Sequence, residues 1–591
     1  MITSIQISKK KGITFTAWES RIWVGILDSP SLIMGVTIDV SELQRCTSYS
    51  QLKTDNYVYG GYYQDGIKVY VKLRFETETV AFQSAQDWMF KNKIVVTTFG
   101  LTGSDFYVND GIAYKTGLLS KYSINVNSDD NNYDQVKFSG ISISLIWDKI
   151  KELGDVVGNY LYLLVDDTII EKQYIENTVR RWDVLKVYTK DLRASLKQAV
   201  LDQKFLPNEF TTDLGGGPIN AVDQDVLKTD KSDAVGYCVG VPAVCMNGDQ
   251  KTGEPNKDWR YYRASYGTIN VDSDGDANGV EVKMDSGWKK IPSGGTGWQL
   301  VDYTETYPNG LTITTKLIKI PTEVVHIPKP GMIEPDYACT PREVRVTGTF
   351  HYERANITRP IEIIKYLFER YTYIPWEASI VNITEMTNEL APLNDAPIGI
   401  YFGEQTDLFE AIGKIQNGSI MGFKFTSYLG LFTARLHNPN RAISRTIKQH
   451  TIINLFDLEL NNMGSSYVSD GYVQYAKVWS EQDVYAEVRD QETRKSILQQ
   501  RNLDKTGGVE TLLKNKEDAE TRFNNFMNTS KNITPRISGI KLNGPQYITF
   551  REYEIVTIDF GDLTPIRTWY ILNAQFDPET NDCTIDVMAK L

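Results

Sequence analysis

Histidine and cysteine are scarce in this chain: 591 residues hold four of the first and five of the second. The cysteines, Cys46, Cys238, Cys245, Cys339 and Cys583, are scattered and odd in number, which excludes a disulfide framework as the organising device. Of the histidines, His326, His351, His437 and His450, no two stand three or four apart and none neighbours a cysteine, so the local spacing of a zinc site is missing. A general base assembled from distant segments stays open on these grounds. Positive charge is short as well. Lys and Arg number 63 against 75 Asp and Glu, a net charge of −12, the reverse of the basic excess by which proteins grip nucleic-acid phosphates. No apolar run approaches the ~18 residues of a membrane helix. The opening residues run from Met1 into Lys9-Lys10-Lys11 without the apolar core of an export signal, so cytoplasmic synthesis is the expectation.

The motifs of common chemistry are missing too. There is no phosphate-binding Walker loop, dinucleotide fingerprint, HExxH or nucleophile elbow. Gly215-Gly216-Gly217 and Gly294-Gly295-Thr296-Gly297 sit between no clear strand and helix and read as flexible turns. Cys238 and Cys245 stand too far apart for a redox CxxC and read as small apolar groups on a strand and its exit turn. The best metal candidate is Asp274, Asp276 and Asn278 with Asp285, oxygen donors at alternate positions around Gly275 and Gly279. Its last ligand is an Asp where a calcium loop prefers a bidentate Glu, and its flanks read as strands, so a hairpin turn competes with an ion site. With 75 carboxylates, pairs arise by chance, and none is assigned as acid and base. The expectation is therefore a non-enzyme, with no catalytic, cofactor-binding or metal residue and no cofactor.

What is present in quantity is tyrosine (34) and glycine (43), the composition of β-structure with many turns. At about 150 residues per domain, the length implies roughly four units. The expected fold class is α+β, β-dominated and multidomain: a β-rich unit at 1–182, a Gly/Asp-rich β unit at 183–333, an α+β unit at 334–450 and a β unit with a helix at 451–591. Alternation predicts strands at 66–77, 122–126 and 136–145, with short helices at 81–92 and 146–153. A helix is expected at 191–203, capped by Thr189, with Leu192, Leu196 and Val200 four apart. Strands follow at 234–245, 280–284, 298–303 and 311–320, and residues 325–331 read as a linker. In the third unit a strand at 344–352 precedes a helix at 361–371, with Pro360 at its first position and Ile361, Ile364, Leu367 and Phe368 on its apolar face. A helix at 408–416, capped by Thr406, leads into a hairpin, 422–426 and 431–436. The last unit has strands at 452–460 and 472–479, a polar loop at 481–506, and a helix at 508–527 carrying Ala519, Phe523 and Phe526. Strands close it at 553–560, 568–576 and 582–588.

In this order the segments carry a family resemblance. Asp183 to Arg193 (DVLKVYTKDLR), Ala234 to Cys245 (AVGYCVGVPAVC) and Trp298-Gln299-Leu300 resemble the lead-in and strands of the inserted domain in the hub, or baseplate central protein, of long-tailed bacteriophages and related tail-like devices. Val344-Arg345-Val346-Thr347-Gly348, then IIKYLFERY at Ile363 to Tyr371, Leu408-Phe409-Glu410-Ala411-Ile412 and Gly430-Leu431-Phe432-Thr433-Ala434 are similar to the unit that follows. The ending, residues 553–588, resembles the closing strands of the tube-like barrel by which hubs continue the tail. The likeness runs from Asp183 onward, and residues 1–182 match less clearly.

The resemblance implies two tube-like domains per chain, each carrying a helix, and a homotrimer around a central channel through which the genome passes. It implies as partners the tail tube or distal tail protein, the tape measure protein and tail spike or fibre proteins, with no sequence-specific nucleic-acid binding. It places the chain in the virion tail, assembled in the bacterial cytoplasm. Two other classes stay open from sequence: a secreted β-rich carbohydrate- or surface-binding protein, since Tyr and Trp stack on sugars, and a hydrolase.

Overall fold

The computed structural model describes the backbone of short strands between residues 4 and 146. From residue 157 it describes most of the chain, setting aside 202–231, 247–258, 273–278, 328–339, 460–467, 544–549, 561–565 and shorter stretches. The fold is β-dominated α+β, with eight sheets and five α-helices among the described residues. In the first large sheet Ser4–Gly12 lies between Ile94–Thr102 and Tyr160–Val165, antiparallel to both. The sheet continues through Thr168–Arg181 and Val184–Asp191 to Ser142–Ile146 at one edge. A second large sheet is built from Arg536–Asn543, Ile555–Ile558, Thr568–Asp577 and Asp582–Ala589. Ile124–Asn127, from the first part of the chain, joins it by pairing with Thr568–Asp577, so hydrogen bonding links the two ends of the sequence.

The nine-stranded sheet between them is organised by Asp233–Cys245, which pairs with Trp259–Arg263, Val344–Phe350 and Gly399–Phe402. Val344–Phe350 alternates buried and half-buried along its length, the period expected of a strand with one face on a core. Asp233–Cys245 is bulged between Cys238 and Val241. Gly236 and Gly240 supply the positive φ the detour needs, and a Cβ at Gly236 would fall 2.4 Å from the Ile398 carbonyl. Pairing therefore runs across residue 333, joining strands on either side of it, just as the turn after Thr168–Arg181 carries it across residue 182.

Against this sheet pack three helices. Pro360–Tyr371 starts with its proline at N1, where the missing N–H has no intrahelical partner to lose, and buries Ile361, Ile364, Leu367 and Phe368 as the periodicity requires. Leu408–Gly418 follows, capped by Asp407, whose Oδ1 accepts the Glu410 N–H at 2.7 Å. Thr406, one residue earlier, bonds instead to Glu410 Oε2 at 2.9 Å. Ile383–Leu390 was not anticipated, because it buries only Met386 and Leu390. Asn382 caps it, and the Asn382 amide in turn donates to the Glu385 carboxylate at 2.9 Å. The hairpin of Phe423–Tyr428 and Leu431–Leu436 turns at Leu429 and Gly430, both at positive φ, as a two-residue turn matched to strand twist demands. Phe425 stacks on Phe432 with centroids 5.4 Å apart, and Phe368 meets both edgewise or tilted at 5.8 and 5.5 Å.

Three expectations are corrected. Residues 191–203 form no α-helix: Leu192–Leu196 is a single 3₁₀ turn, and Ala199–Val200 is a strand pairing with Thr406–Asp407. Leu192, Leu196 and Val200 are buried as their spacing implies, but a turn followed by extended chain reaches the same core. Thr189 lies in the strand Val184–Asp191. The last helix is Lys516–Ser530, and Thr506–Glu510 before it is a strand, parallel to Asp470–Tyr475. Ala519, Phe523 and Met527 face the sheet, with Phe526 half-buried beside them. The polar stretch 481–506 holds a strand, Ala486–Arg489, and a helix, Gln491–Arg501, started by Asp490 accepting the Glu492 N–H at 3.0 Å. Its single buried apolar residue, Ile497, left no periodic signal. The helices expected at 81–92 and 146–153 lie outside the described residues.

The ring stack predicts that Phe432→Ala costs about 3–5 kcal/mol, because a fully buried ring leaves a cavity between two others. Chemical denaturation of the purified variant measures it. An unchanged midpoint would remove Phe432 from the packing centre.

Candidate functional site

The densest polar chemistry lies where the central sheet meets the helix Pro360–Tyr371. Asp233, the first residue of Asp233–Cys245, is fully buried. Its Oδ1 accepts from His351 Nε2 and from Ser265 Oγ, each at 3.0 Å, and its Oδ2 accepts from the hydroxyls of Tyr366 and Tyr371, each at 2.7 Å. His351 follows the last residue of Val344–Phe350 and takes φ 55°, which swings the chain off the strand into the turns before the helix. Its ring lies 4.4 Å from that of Tyr366. A Cβ at Gly267 would sit 2.0 Å from His351 Cε1, so glycine there makes room for the imidazole. Side chains 32 to 138 residues further along the chain thus converge on one carboxylate.

Electrostatics follow from this geometry. Burial pulls the Asp233 carboxyl upward, but the charge and hydrogen bond of His351 and the two tyrosine hydroxyls outweigh it and hold it below the ordinary 3.8. Burial pulls His351 down, and the Asp233 carboxylate with the nearby Glu353 carries it above the usual 6.5. Both tyrosines are pushed up by burial and by the carboxylate they donate to, so they remain neutral donors.

A serine, a histidine and an aspartate in contact invite comparison with a nucleophilic triad, and the connectivity excludes it. Ser265 Oγ and His351 Nε2 both spend their protons on the same carboxylate oxygen, and Ser265 Oγ also accepts the Ala234 N–H at 3.0 Å. A triad needs the hydroxyl on the imidazole instead. All five side chains are buried. The arrangement is a polar knot that fixes helix to sheet.

Two further clusters are seams of the same kind. Glu389 receives both terminal nitrogens of Arg441 at 2.8 and 2.7 Å, Arg435 Nη1 at 2.9 Å and the Leu436 N–H at 3.1 Å. Glu385 pairs with Arg551 at 2.5 Å, whose guanidinium lies 3.8 Å over Tyr428. These contacts tie the helix Ile383–Leu390 and the hairpin to the last sheet. Arg345 bridges Glu281 and Glu481, both at 2.6 Å, and lies 4.3 Å over Trp288. Beside it the Trp479 and Ser480 N–H groups bond to the Val239 and Gly240 carbonyls, closing the bulge against the last unit.

Of the residues singled out from sequence, Asp274, Asp276 and Asn278 lie outside the described residues. Asp285 occupies the turn between Val280–Met284 and Gly287–Lys290, its side chain exposed and 3.4 Å from Arg342. Among the described residues no three His, Cys, Asp or Glu side chains gather as a metal site would need. Cys238 is buried in the sheet core, its Sγ 3.8 Å from the Val235 carbonyl, and Cys245 is half-buried at the end of the same strand. His437 is half-buried, and desolvation with the neighbouring Arg522, Arg441 and Lys424 depresses it to about 4. Its ring packs on Tyr553 and Tyr570. His450, Cys339 and Gly215 to Gly217 lie outside the described residues. The Asp233 cluster went unread because its partners are scattered between residues 233 and 371, and no local spacing marks them.

No protein-family model matches the chain, and no curated protein matches it. Among solved structures it is similar to a tail protein from Neisseria meningitidis, with 7% identity and a TM-score of 0.33 over 81% of this chain and 94% of that one. It is similar to the prophage MuSo2 43 kDa tail protein from Shewanella oneidensis at 8% identity and 0.34, covering 82% and 96%. A prophage tail protein from Listeria monocytogenes follows at 7% and 0.31, covering 85% and 92%. Likeness at this level transfers no role to this chain.

The knot predicts a stability optimum on the acid side of neutrality. His351, raised on folding, contributes in full below pH 6.5 and loses its contribution as pH rises through its higher folded value. Asp233, lowered on folding, contributes above pH 3.8 and loses it as pH falls through its lower folded value. Thermal melting against pH should decline on both sides of that window, and His351→Gln should flatten the alkaline limb. Asp233→Ala, leaving an imidazolium buried without its partner, should cost about 3–5 kcal/mol. A melting curve for His351→Gln parallel to wild type above pH 6.5 would refute the pairing.

Proposed function

We propose that this protein is the structural hub at the distal end of a phage tail, joining the tail tube to the tip and receptor-binding apparatus as a trimer around the DNA channel. The observation that carries this reading is the pair of large, mainly antiparallel sheets to which the two ends of the chain contribute. Among the described residues the first ends at Ser142–Ile146 and Tyr107–Asn109, the second at Arg445–Ile447 and Asp457–Glu459. Edge strands present unpaired backbone groups, and a closed ring of copies is the arrangement that covers them at every interface.

The segments that carry the sequence resemblance support it by their placement. Val344 to Gly348 lies in the strand against Asp233–Cys245, Ile363 to Tyr371 in the helix knotted to it, and Leu408 to Ile412 in the next helix. Gly430 to Ala434 forms the turn and second strand of the aromatic hairpin, and residues 553–588 span the strands of the last sheet. The polar clusters described above all fasten one part of the chain to another, which suits a load-bearing part and not a reagent. A net charge of −12 suits a wall past which DNA slides without being held. The partners on this reading are the tail tube or distal tail protein, the tape measure protein and spike or fibre proteins, and the place of action is the virion tail.

Sedimentation and negative-stain electron microscopy of the purified chain test it. A closed three-fold particle of about three times 67.1 kDa is expected. A single monomeric species at every concentration would sink the proposal.

A further inference from the structure

One face of the aromatic hairpin carries buried donors that the seam above it leaves unspent. Phe423–Tyr428 and Leu431–Leu436 pair with Thr426 opposite Thr433 and Lys424 opposite Arg435. Phe425, Phe432 and Ala434 lie in the apolar core, so strand alternation turns Lys424, Thr426, Thr433 and Arg435 to the other face. That face is covered too: Lys424 is buried, and Thr433 keeps 1% of its surface. Arg551 stacks on Tyr428, from the same face, and pairs with Glu385, while Arg435 and Arg441 share Glu389. The Thr433 hydroxyl and the Nε groups of Arg435, Arg441 and Arg551 are buried and find no hydrogen-bond partner among the described residues.

What is unspent has one chemical sign. An arginine Nε only donates, so three guanidiniums with a hydroxyl beside them call for an acceptor. The carboxylates of the seam are already engaged. Glu389 takes Arg441 on both oxygens and adds Arg435 and the Leu436 N–H, and Glu385 serves Arg551 and the Asn382 amide. Three arginines thus share two carboxylates among the described residues, and Lys424 stands directly across the strand pair from Arg435, a like charge that repels it. Burial lowers the Arg435 guanidinium below its ordinary value, and the charges of Arg551 and Arg441 lower it further against the pull of Glu389 and Glu385. A shielded surplus of positive charge is costly until an anion joins it. The three arginine side chains keep 12 to 16% exposure, which admits a small ion at the margin of the seam. Guanidinium forks and a hydroxyl match the oxygens of a tetrahedral oxyanion. We infer that Thr433, Arg435, Arg441 and Arg551 hold inorganic phosphate or sulfate between the hairpin and the chain leading into Ile555–Ile558. The inference stands independently of the hub reading.

The test uses the full-length purified protein in chloride buffer free of oxyanions, with inorganic phosphate as the probe at constant ionic strength. Isothermal titration calorimetry should show a single saturable site per chain, and the melting temperature should rise and then level off as the site fills. Phosphate also stabilises proteins by exclusion from their surfaces, but that effect does not saturate. Thr433→Val, which keeps the shape and removes the hydroxyl, should weaken phosphate binding about tenfold. Arg441→Lys, which keeps the charge and removes Nε, should weaken it similarly. Circular dichroism matching wild type shows both variants folded. A wild-type protein that binds neither phosphate nor sulfate overturns the inference, whatever becomes of the variants. Saturable binding of equal affinity in both variants overturns it as well, since the ion then sits elsewhere. Binding of a short DNA duplex without binding of the free ion also overturns it. None of these outcomes bears on the three-fold particle expected above.

Discussion

A single carboxylate in the interior sets the terms for the middle of this molecule. Asp233 cannot stay ionised and dry unless it is surrounded by donors, and the donors are a histidine ending one strand, a serine after another and two tyrosines on a helix. Each of those elements is thereby held at a fixed place on the strand Asp233–Cys245. That strand also pairs with Val344–Phe350 and Gly399–Phe402 and, through its bulge, receives the loop around Trp479. Apolar packing alone tolerates sliding, whereas four directed hydrogen bonds to two oxygens specify one arrangement. The apolar core grows from that registration: Ile363, Ile364 and Leu367 on the same helix reach the hairpin of Phe425 and Phe432 only when the helix lies where the tyrosines hold it.

What was legible in the sequence was local. Val344–Phe350, Pro360–Tyr371, Val280–Met284 and the hairpin around Leu429-Gly430 each state their period within a few residues, and each forms as read. The misreadings fall where two local forms bury the same residues. Leu192, Leu196 and Val200 satisfy a helix and equally a 3₁₀ turn followed by a strand, and pairing with Thr406–Asp407 decided between them. Gln491–Arg501 was hidden for the opposite reason: a helix that buries Ile497 alone is held by its start and its neighbours and writes no stripe.

The polar clusters were illegible for a reason common to all of them. Glu389 meets Arg435 and Arg441, Arg345 meets Glu281 and Glu481, and Asp233 meets His351, over separations of 46 to 136 residues. Ion pairs at such distances in sequence are made by topology, so no spacing rule could announce them. The pairing of Ile124–Asn127 with Thr568–Asp577 belongs to the same class, since it needs both chain ends in place before either shows a reason for it.

Two of these seams share a direction. Arg551 with Glu385 and Arg345 with Glu481 cross from the middle of the chain into its last part, while Arg441 with Glu389 stays within the middle, and each is partly or largely shielded from water. Exposed ion pairs contribute little, but shielded and bidentate ones resist separation because breaking them strands a charge. Fastened this way, the helix Ile383–Leu390 and the strand Val344–Phe350 keep their places against the segments around Arg551 and Glu481.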